Sequence, residues 1–234
     1  ARVLGVIPAT ENVPYDIQAE TALYGELGLS ARLWKKLKLS ATGWGKYSYN
    51  QFDNIALGAT NLIGSYNFER GRSVGVELSA ELVFREYLSA FANATWLIAQ
   101  GQGIASAKFL FDAEQLADTS WQTLDHAQSW TANAGVTVSH SGASVTALAA
   151  YGSGLRTGPH NDQSVPQHLR VDLTLQYSFD QLPLRPRVAI DIINLFDAHY
   201  AYRIGNAFVG SSYAAPRSVF ARLAIPLDVA GGAR

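Results

Sequence analysis

The stretch His168-Leu169-Arg170-Val171-Asp172-Leu173-Thr174-Leu175-Gln176-Tyr177-Ser178-Phe179 decides the fold. Every second residue is apolar, and the residues between are His, Arg, Asp, Thr, Gln and Ser. A period of two marks a strand with two unlike faces, because successive side chains of an extended backbone point to opposite sides. A helix would place apolar residues three and four apart, and this stretch does not.

The same alternation recurs over residues 22–33, 37–49, 73–84, 88–98, 130–139, 144–151, 187–193 and 218–227. In none of these segments does the apolar face carry Asp, Glu, Lys or Arg. Tight connections (34–36, 85–87, 141–143 and the Pro-bearing 180–186) alternate with long ones (50–65, 100–129, 152–167 and 194–217). Antiparallel neighbours joined this way collect the tight turns at one end and the long loops at the other. The expectation is an all-β, antiparallel, up-and-down sheet of about nine strands.

Composition narrows the function classes. The chain has 234 residues, 48% hydrophobic and 16% charged, with a net charge of −1. Ten Phe, 11 Tyr and 5 Trp argue against disorder. A balanced charge offers no basic footprint, so no nucleic-acid partner is expected. With no Cys there is no disulfide frame, thiolate metal site or Cys nucleophile. No run of 18 apolar residues forms a transmembrane helix. No zincin, P-loop or nucleophile-elbow motif appears, and the five His share no ligand spacing, so neither an enzyme nor a metal site is expected.

Alternation alone does not say which face meets water. A soluble barrel buries its apolar face, whereas an outer-membrane barrel turns it to lipid around a polar lumen. Three features favour the membrane. Several segments exceed the usual strand of about 5–6 residues and reach the roughly 9–11 that a tilted membrane strand needs. Aromatics on the apolar face gather at its ends: Tyr47, Tyr49, Trp96, Trp130 and Tyr151 at the long-loop end, Phe84, Tyr177 and Phe179 at the other. Two such belts match the two bilayer interfaces. The polar face holds Glu26, Arg32, Lys38, Lys46, Glu77, Glu81, Arg170, Asp172, Arg187, Asp191 and Arg222, too many charges for a dry core.

Ordered motifs add a resemblance. Asn194-Leu195-Phe196-Asp197, Tyr200, Tyr213 and Pro216-Arg217 resemble the "NLFD…Y…Y…PR" ending of TonB-dependent outer-membrane receptors. Gly25-Glu26-Leu27-Gly28 resembles that family's "YELG" strand, with Gly25 in the Tyr place, and Asn67 with Gly75-Val76-Glu77 resembles its "N…GvE" strand. Residues 124–126 and 152–156 resemble strand borders of one subgroup. The resemblance implies a transmembrane barrel of about 22 strands around an N-terminal plug, with active uptake driven through TonB. This chain would supply roughly the last nine strands over residues 1–227, followed by a tail at 228–234. Plug, TonB box and the remaining strands would be partners outside it, together with outer-membrane lipid. The closing strand reads Ala224-Ile225-Pro226-Leu227 where the family ends on an aromatic.

The resemblance also implies a small-molecule ligand, a ferric siderophore being the default among chelates, cobalamin, haem or carbohydrate. No resident cofactor is expected. Candidate ligand contacts at the long-loop end are Phe109, Phe111, Trp121 and His126 in one loop, Arg156 and His160 in the next, and Tyr202, Arg203 and Tyr213 in the last. Solvated loops with packing aromatics remain the plain alternative. Asn194 and Asp197 are expected to stabilise the turn leaving their strand, and Pro216-Arg217 to open the final strand. Two other readings stay open, a free-standing small outer-membrane pore or adhesin and a soluble β-barrel carrier.

Overall fold

A computed structural model describes residues 16–56, 63–125, 127–157, 161, 163–204 and 210–226. Nine long strands form one antiparallel sheet: β1 (Thr21–Leu33), β2 (Leu37–Ala56), β3 (Ile63–Phe84), β4 (Leu88–Ile104), β5 (Trp130–His140), β6 (Ala143–Gly152), β7 (His168–Ser178), β8 (Arg187–Ile193) and β9 (Ser218–Ala224). Their order across the sheet is their order along the chain. The expected up-and-down meander is the observed topology, and among the described residues no strand covers the outer edge of β1 or β9.

The tight ends follow from backbone sterics. Between His140 and Ala143 the turn residues Ser141 and Gly142 have φ of 48° and 84°. Two positive φ values make the primed turn whose twist suits paired strands. Trp34 and Lys35 (φ 51° and 60°) turn β1 into β2, closed by the Lys36 amide donating to the Leu33 carbonyl at 3.1 Å. Aromatic pairs frame both ends of the apolar face: Tyr47–Tyr49 at 5.5 Å and Trp96–Trp130 at 6.4 Å between ring centroids at one, Phe84–Tyr87 at 5.4 Å and Tyr177–Phe179 at 4.8 Å at the other.

Burial tells the two sides apart. Along β2, Thr42, Trp44 and Lys46 are half-buried and Ser48 is buried, while Ala41, Gly43, Tyr47 and Tyr49 between them are exposed. The polar face is the more covered side along this strand. The apolar face lies open, with Leu23, Leu27 and Leu29 more than 70% exposed.

The sequence reading placed a loop over 50–65, and here the structure corrects it. β2 runs on to Ala56 and β3 begins at Ile63, with pairing continuous from Gln51↔Phe68 to Ala56↔Ile63. Asn50 (φ 53°) and Gly103 (φ +67°) take the left-handed conformation beyond the aromatic pairs. There they break the two-residue period, which is why the polar run Asn50-Gln51-Phe52-Asp53-Asn54 reads as loop. β4 likewise extends to Ile104, whereas β9 ends at Ala224, ahead of Pro226. Residues 1–15 and 227–234, including the expected tail, lie outside the described residues.

The protruding ends of β2–β4 carry the only described hydrophobic core, Tyr66, Phe68, Ile104 and Ala107, joined by Ile17, Ile55, Leu110, Phe111 and Leu124. A polar staple lies under it. Asn67 is fully buried, accepts from the Gln18 amide and the Ser106 hydroxyl, and donates to the Gln18 and Asn50 carbonyls. The Ala107 amide donates to Asp16. Buried polar groups stripped of partners cost about 1–3 kcal/mol each. Asn67→Ala is therefore expected to release residues 16–18 and 105–107, read as faster amide exchange there with β7–β9 unchanged.

Candidate functional site

Three groups of side chains occupy the polar face and its long-loop rim. The first is the wall. Several of its charges pair across and along strands: Lys38–Glu81 at 3.8 Å, Lys46–Glu20 at 2.5 Å, Arg170–Asp172 at 3.0 Å and Arg222–Asp191 at 3.0 Å. Uncharged neighbours do the same, Ser40 with Ser79, Thr137 with Thr146 and Asn133 with Asn93. The motif residues Gly75 and Glu77 seat one ring here. The Trp44 indole lies over Gly75 and donates to Glu77 at 3.2 Å. A methyl on Gly75 would come within 2.6 Å of that ring.

The second group is the cap over the protruding strands. Asp53 is 8% exposed and accepts from the Asn54 amide (2.9 Å), the Asp125 amide (3.2 Å) and the Tyr66 hydroxyl (3.4 Å). Burial pushes its carboxyl up to about 6, against backbone hydrogen bonds that pull it down. Burial raises the Tyr66 phenol as well. Tyr66 meets Phe111 edge-on at 4.8 Å, so the loop holding Phe111 is moored to β3. That loop carries a 3₁₀ turn (Lys108–Leu110) and a short helix (Ala113–Ala117), the helix started by an Asp112–Gln115 capping box.

The third group is the rim of β7–β9. Asn194 (φ 56°) is fully buried, donates to the Ala198 and Ala215 carbonyls and accepts from the Ala198 amide. Asp197 accepts from the Arg217 amide at 2.8 Å, and that bond holds its carboxyl below the usual range. The expected turn stabilisers therefore also tie both ends of the 194–217 connection together. Tyr200 is buried, stacked on His168 at 4.1 Å, and its hydroxyl lies 3.2 Å from that of Tyr202. Burial first, then that hydrogen bond, push the Tyr200 phenol up to about 12.

The structure separates the expected ligand contacts. Phe111 packs inside the cap, and Trp121 lies under the Arg72 guanidinium at 4.2 Å, on the apolar side of the sheet. Phe109, Tyr202 and Tyr213 are exposed, Arg156 is half-buried, and Pro216 and Arg217 lead into β9. His126, His160 and the side chain of Arg203 lie outside the described residues. Among the described residues no three His, Cys, Asp or Glu side chains gather in a way that could hold a metal. Sequence reasoning missed Asp53, Tyr66, Phe68 and the His168–Tyr200 stack. The alternation of Tyr66 and Phe68 around Asn67 was the available signal.

A family profile described as "TonB dependent receptor-like, beta-barrel" matches residues 5–195. The chain belongs to the TonB-dependent receptor-like β-barrel family. This is a family of transport receptors, and the sheet is a segment of its barrel. No curated relative matches the sequence. Among solved structures, the siderophore receptor PiuA from Acinetobacter baumannii superposes with a TM-score of 0.65 at 17% identity, over 86% of this chain and 28% of PiuA. The ferric-catecholate import receptor Fiu from E. coli K12 gives 0.64 at 18%, over 89% and 28%. The copper transporter OprC gives 0.63 at 15%, over 89% and 32%. At such identity the likeness is one of fold. This TonB-dependent receptor segment spans less than a third of the length of those chains.

Two outcomes follow. Gly75→Ala is expected to push Trp44 off its seat and cost about 1–3 kcal/mol, seen as a lower thermal midpoint of the full receptor in detergent. Gly43→Ala, with open space around it, should leave the midpoint unchanged. For Asp53, a folded pKa of about 6 against 3.8 unfolded means the folded cap binds the proton more tightly. That stability is present below pH ~4 and lost as pH rises through 6, with an upper bound of about 3 kcal/mol. Amide exchange in residues 105–125 should therefore quicken, beyond its intrinsic pH dependence, between pH 5 and 7.5. Asp53→Asn should flatten that change.

Proposed function

We propose that this segment forms the C-terminal side of an outer-membrane TonB-dependent receptor that imports a scarce small molecule, a metal chelate of the ferric-siderophore kind. The observation that carries the reading is the nine-strand sheet with one uncharged face bounded by aromatics and one face of paired charges. A transmembrane barrel around an aqueous or plugged lumen needs that division. Three similar structures are a siderophore receptor, a ferric-catecholate importer and a copper transporter, which supports a metal-linked ligand.

In this reading the paired charges of the wall face the plug that precedes the barrel in the chain, and TonB pulls on that plug. The ligand arrives at the long-loop rim. There Phe109, Tyr202 and Tyr213 offer exposed aromatic surface and Arg156 a cation, the pairing that suits an anionic aromatic chelate. His126, His160 and Arg203 belong to the same loops and are proposed with them. The buried members of the rim, Asn194, Asp197 and Tyr200, hold those loops in place.

This segment contains no Cys, so single cysteines placed in it, in a receptor freed of any Cys elsewhere, test the orientation. In outer membranes bearing the full receptor, a water-soluble maleimide is expected to label Thr174→Cys at least tenfold faster than Leu173→Cys or Leu175→Cys. Equal rates would overturn the division of faces. Accumulation of ⁵⁵Fe carried by a tris-catecholate should depend on both the receptor gene and TonB. Uptake unchanged by deleting the receptor would remove that chelate class.

A further inference from the structure

The 194–217 connection is tied down in two places. At its base Asn194 and Asp197 bond backbone at both of its ends, and the Asn194 amide donates to Asp172 on β7 at 2.8 Å. Further out, Tyr200 lies flat on His168, with ring planes 1° apart and centroids at 4.1 Å. The outer half of the connection hangs on that ring. The Ala214 amide donates to the Tyr200 carbonyl at 2.9 Å, Ala201 pairs with Tyr213, and Tyr202 meets Tyr200 edge-on at 5.3 Å. The exposed Tyr202 and Tyr213 therefore ride on the contact between two rings.

His168 owes its seat to Gly152. The two stand opposite each other in the β6–β7 pairing, and a methyl on Gly152 would come within 2.5 Å of the imidazole Cε1. The ring lies between strand backbone and Tyr200, and its Nδ1 is buried with no hydrogen-bond partner among the described residues. A neutral imidazole tolerates that, because one of its nitrogens carries no proton. An imidazolium has two N–H donors, and a buried donor left unpaired is costly.

The groups around the ring supply no counter-charge. Gln128 lies beside it over Gly152, Tyr200 and Tyr202 face it from the connection, and Arg170 stands two residues along the same strand face. Among the described residues Arg170 is the one charge that acts on the ring. Asp172 is already spent on Arg170 at 3.0 Å and on the Asn194 amide. Attraction between an imidazolium and the Tyr200 ring is smaller than the cost of an unpaired charged donor beside a guanidinium.

We infer that His168 is a pH-sensitive positioning residue: its neutral ring clamps Tyr200 and the outer half of the 194–217 connection to the wall, and a proton added to the ring releases them. An ordinary histidine exchanges that proton near pH ~6.5, so the clamp is complete above this value and lost as pH falls below it. The rim of an outer-membrane protein meets the external medium, so its pH is the one sensed. In that respect the inference rests on the outer-membrane reading above. Release would move Tyr202 and Tyr213, two of the proposed ligand contacts, while Asn194 and Asp197 keep the base closed.

The test is amide exchange of the full receptor in detergent, read as protection relative to the intrinsic rate at each pH. In the wild type, protection of residues 200–203 and 212–214 is expected to fall about fivefold or more from pH 7.5 to pH 5, with residues 195–198 unchanged. The cap answers to Asp53 in the opposite sense and in different residues. His168→Phe, which keeps a flat ring on Gly152 but cannot take a proton, should hold the pH 7.5 protection at both pH values. His168→Ala should lose it at both, and Tyr200→Ala, which leaves the imidazole in place, should abolish the pH response. A wild type indifferent to pH, or a His168→Phe variant that responds as the wild type does, would overturn the assignment. Membrane fractionation of the same cells keeps the two readings apart. A receptor in outer membranes whose connection ignores pH removes only the clamp. One absent from outer membranes removes the external setting and leaves the clamp to stand or fall on the exchange.

Discussion

Each strand of the sheet hydrogen-bonds to its neighbours in a register that keeps like faces together, from Leu23↔Tyr47 at one side to Val188↔Leu223 at the other. Because side chains alternate with a period of two, a slip of one residue at any pairing would carry a polar row onto the apolar face. Nothing in the isolated strands forbids that slip. What forbids it is the coherence of nine patterns at once, reinforced by primed turns such as Ser141-Gly142 that admit a single offset. The aromatic borders and the ion pairs of the wall inherit their positions from this register.

The same constraint explains what could be read from sequence. The strand cores were legible because a two-faced environment writes itself into every second residue. Arg187–Ile193 was placed to the residue, and Trp130–His140 to within one. The protruding halves of β2 and β3 were not. Past Asn50 the sheet no longer has one apolar side, and a single left-handed residue is enough to shift the phase. Asn50 and Gly103 are ordinary loop residues in a sequence, and only the partner strand shows that pairing runs on past them without a change of register.

Loop side chains were harder still, because their partners lie far off in the chain. Phe111 and Trp121 look alike in sequence, ten residues apart and both in an aromatic, acidic loop. One is held by Tyr66 inside the cap, and the other stacks on Arg72 outside the sheet. No local pattern separates them. Asn194 and Asp197 were legible as turn residues, since both side chains bond nearby backbone. Their hold on Ala215 and Arg217 depends on the return of the 194–217 connection, which only the fold supplies.

The polar wall divides by charge. β1–β3 carry Glu26, Arg32, Lys38, Lys46, Glu77 and Glu81, and β7–β9 carry Arg170, Asp172, Arg187, Asp191 and Arg222. The polar rows of β4–β6 between them carry none: Asn93, Asn133, Thr137 and Thr146 bond one another, while Phe91 and Leu148 close over Gly135. A charged group approaching the middle panel would lose water and gain no counter-charge, a loss that burial makes worse. On the flanks it would compete with ion pairs already formed. If Arg156 and the exposed rim aromatics receive the ligand as proposed, charge selectivity falls to them and not to the wall.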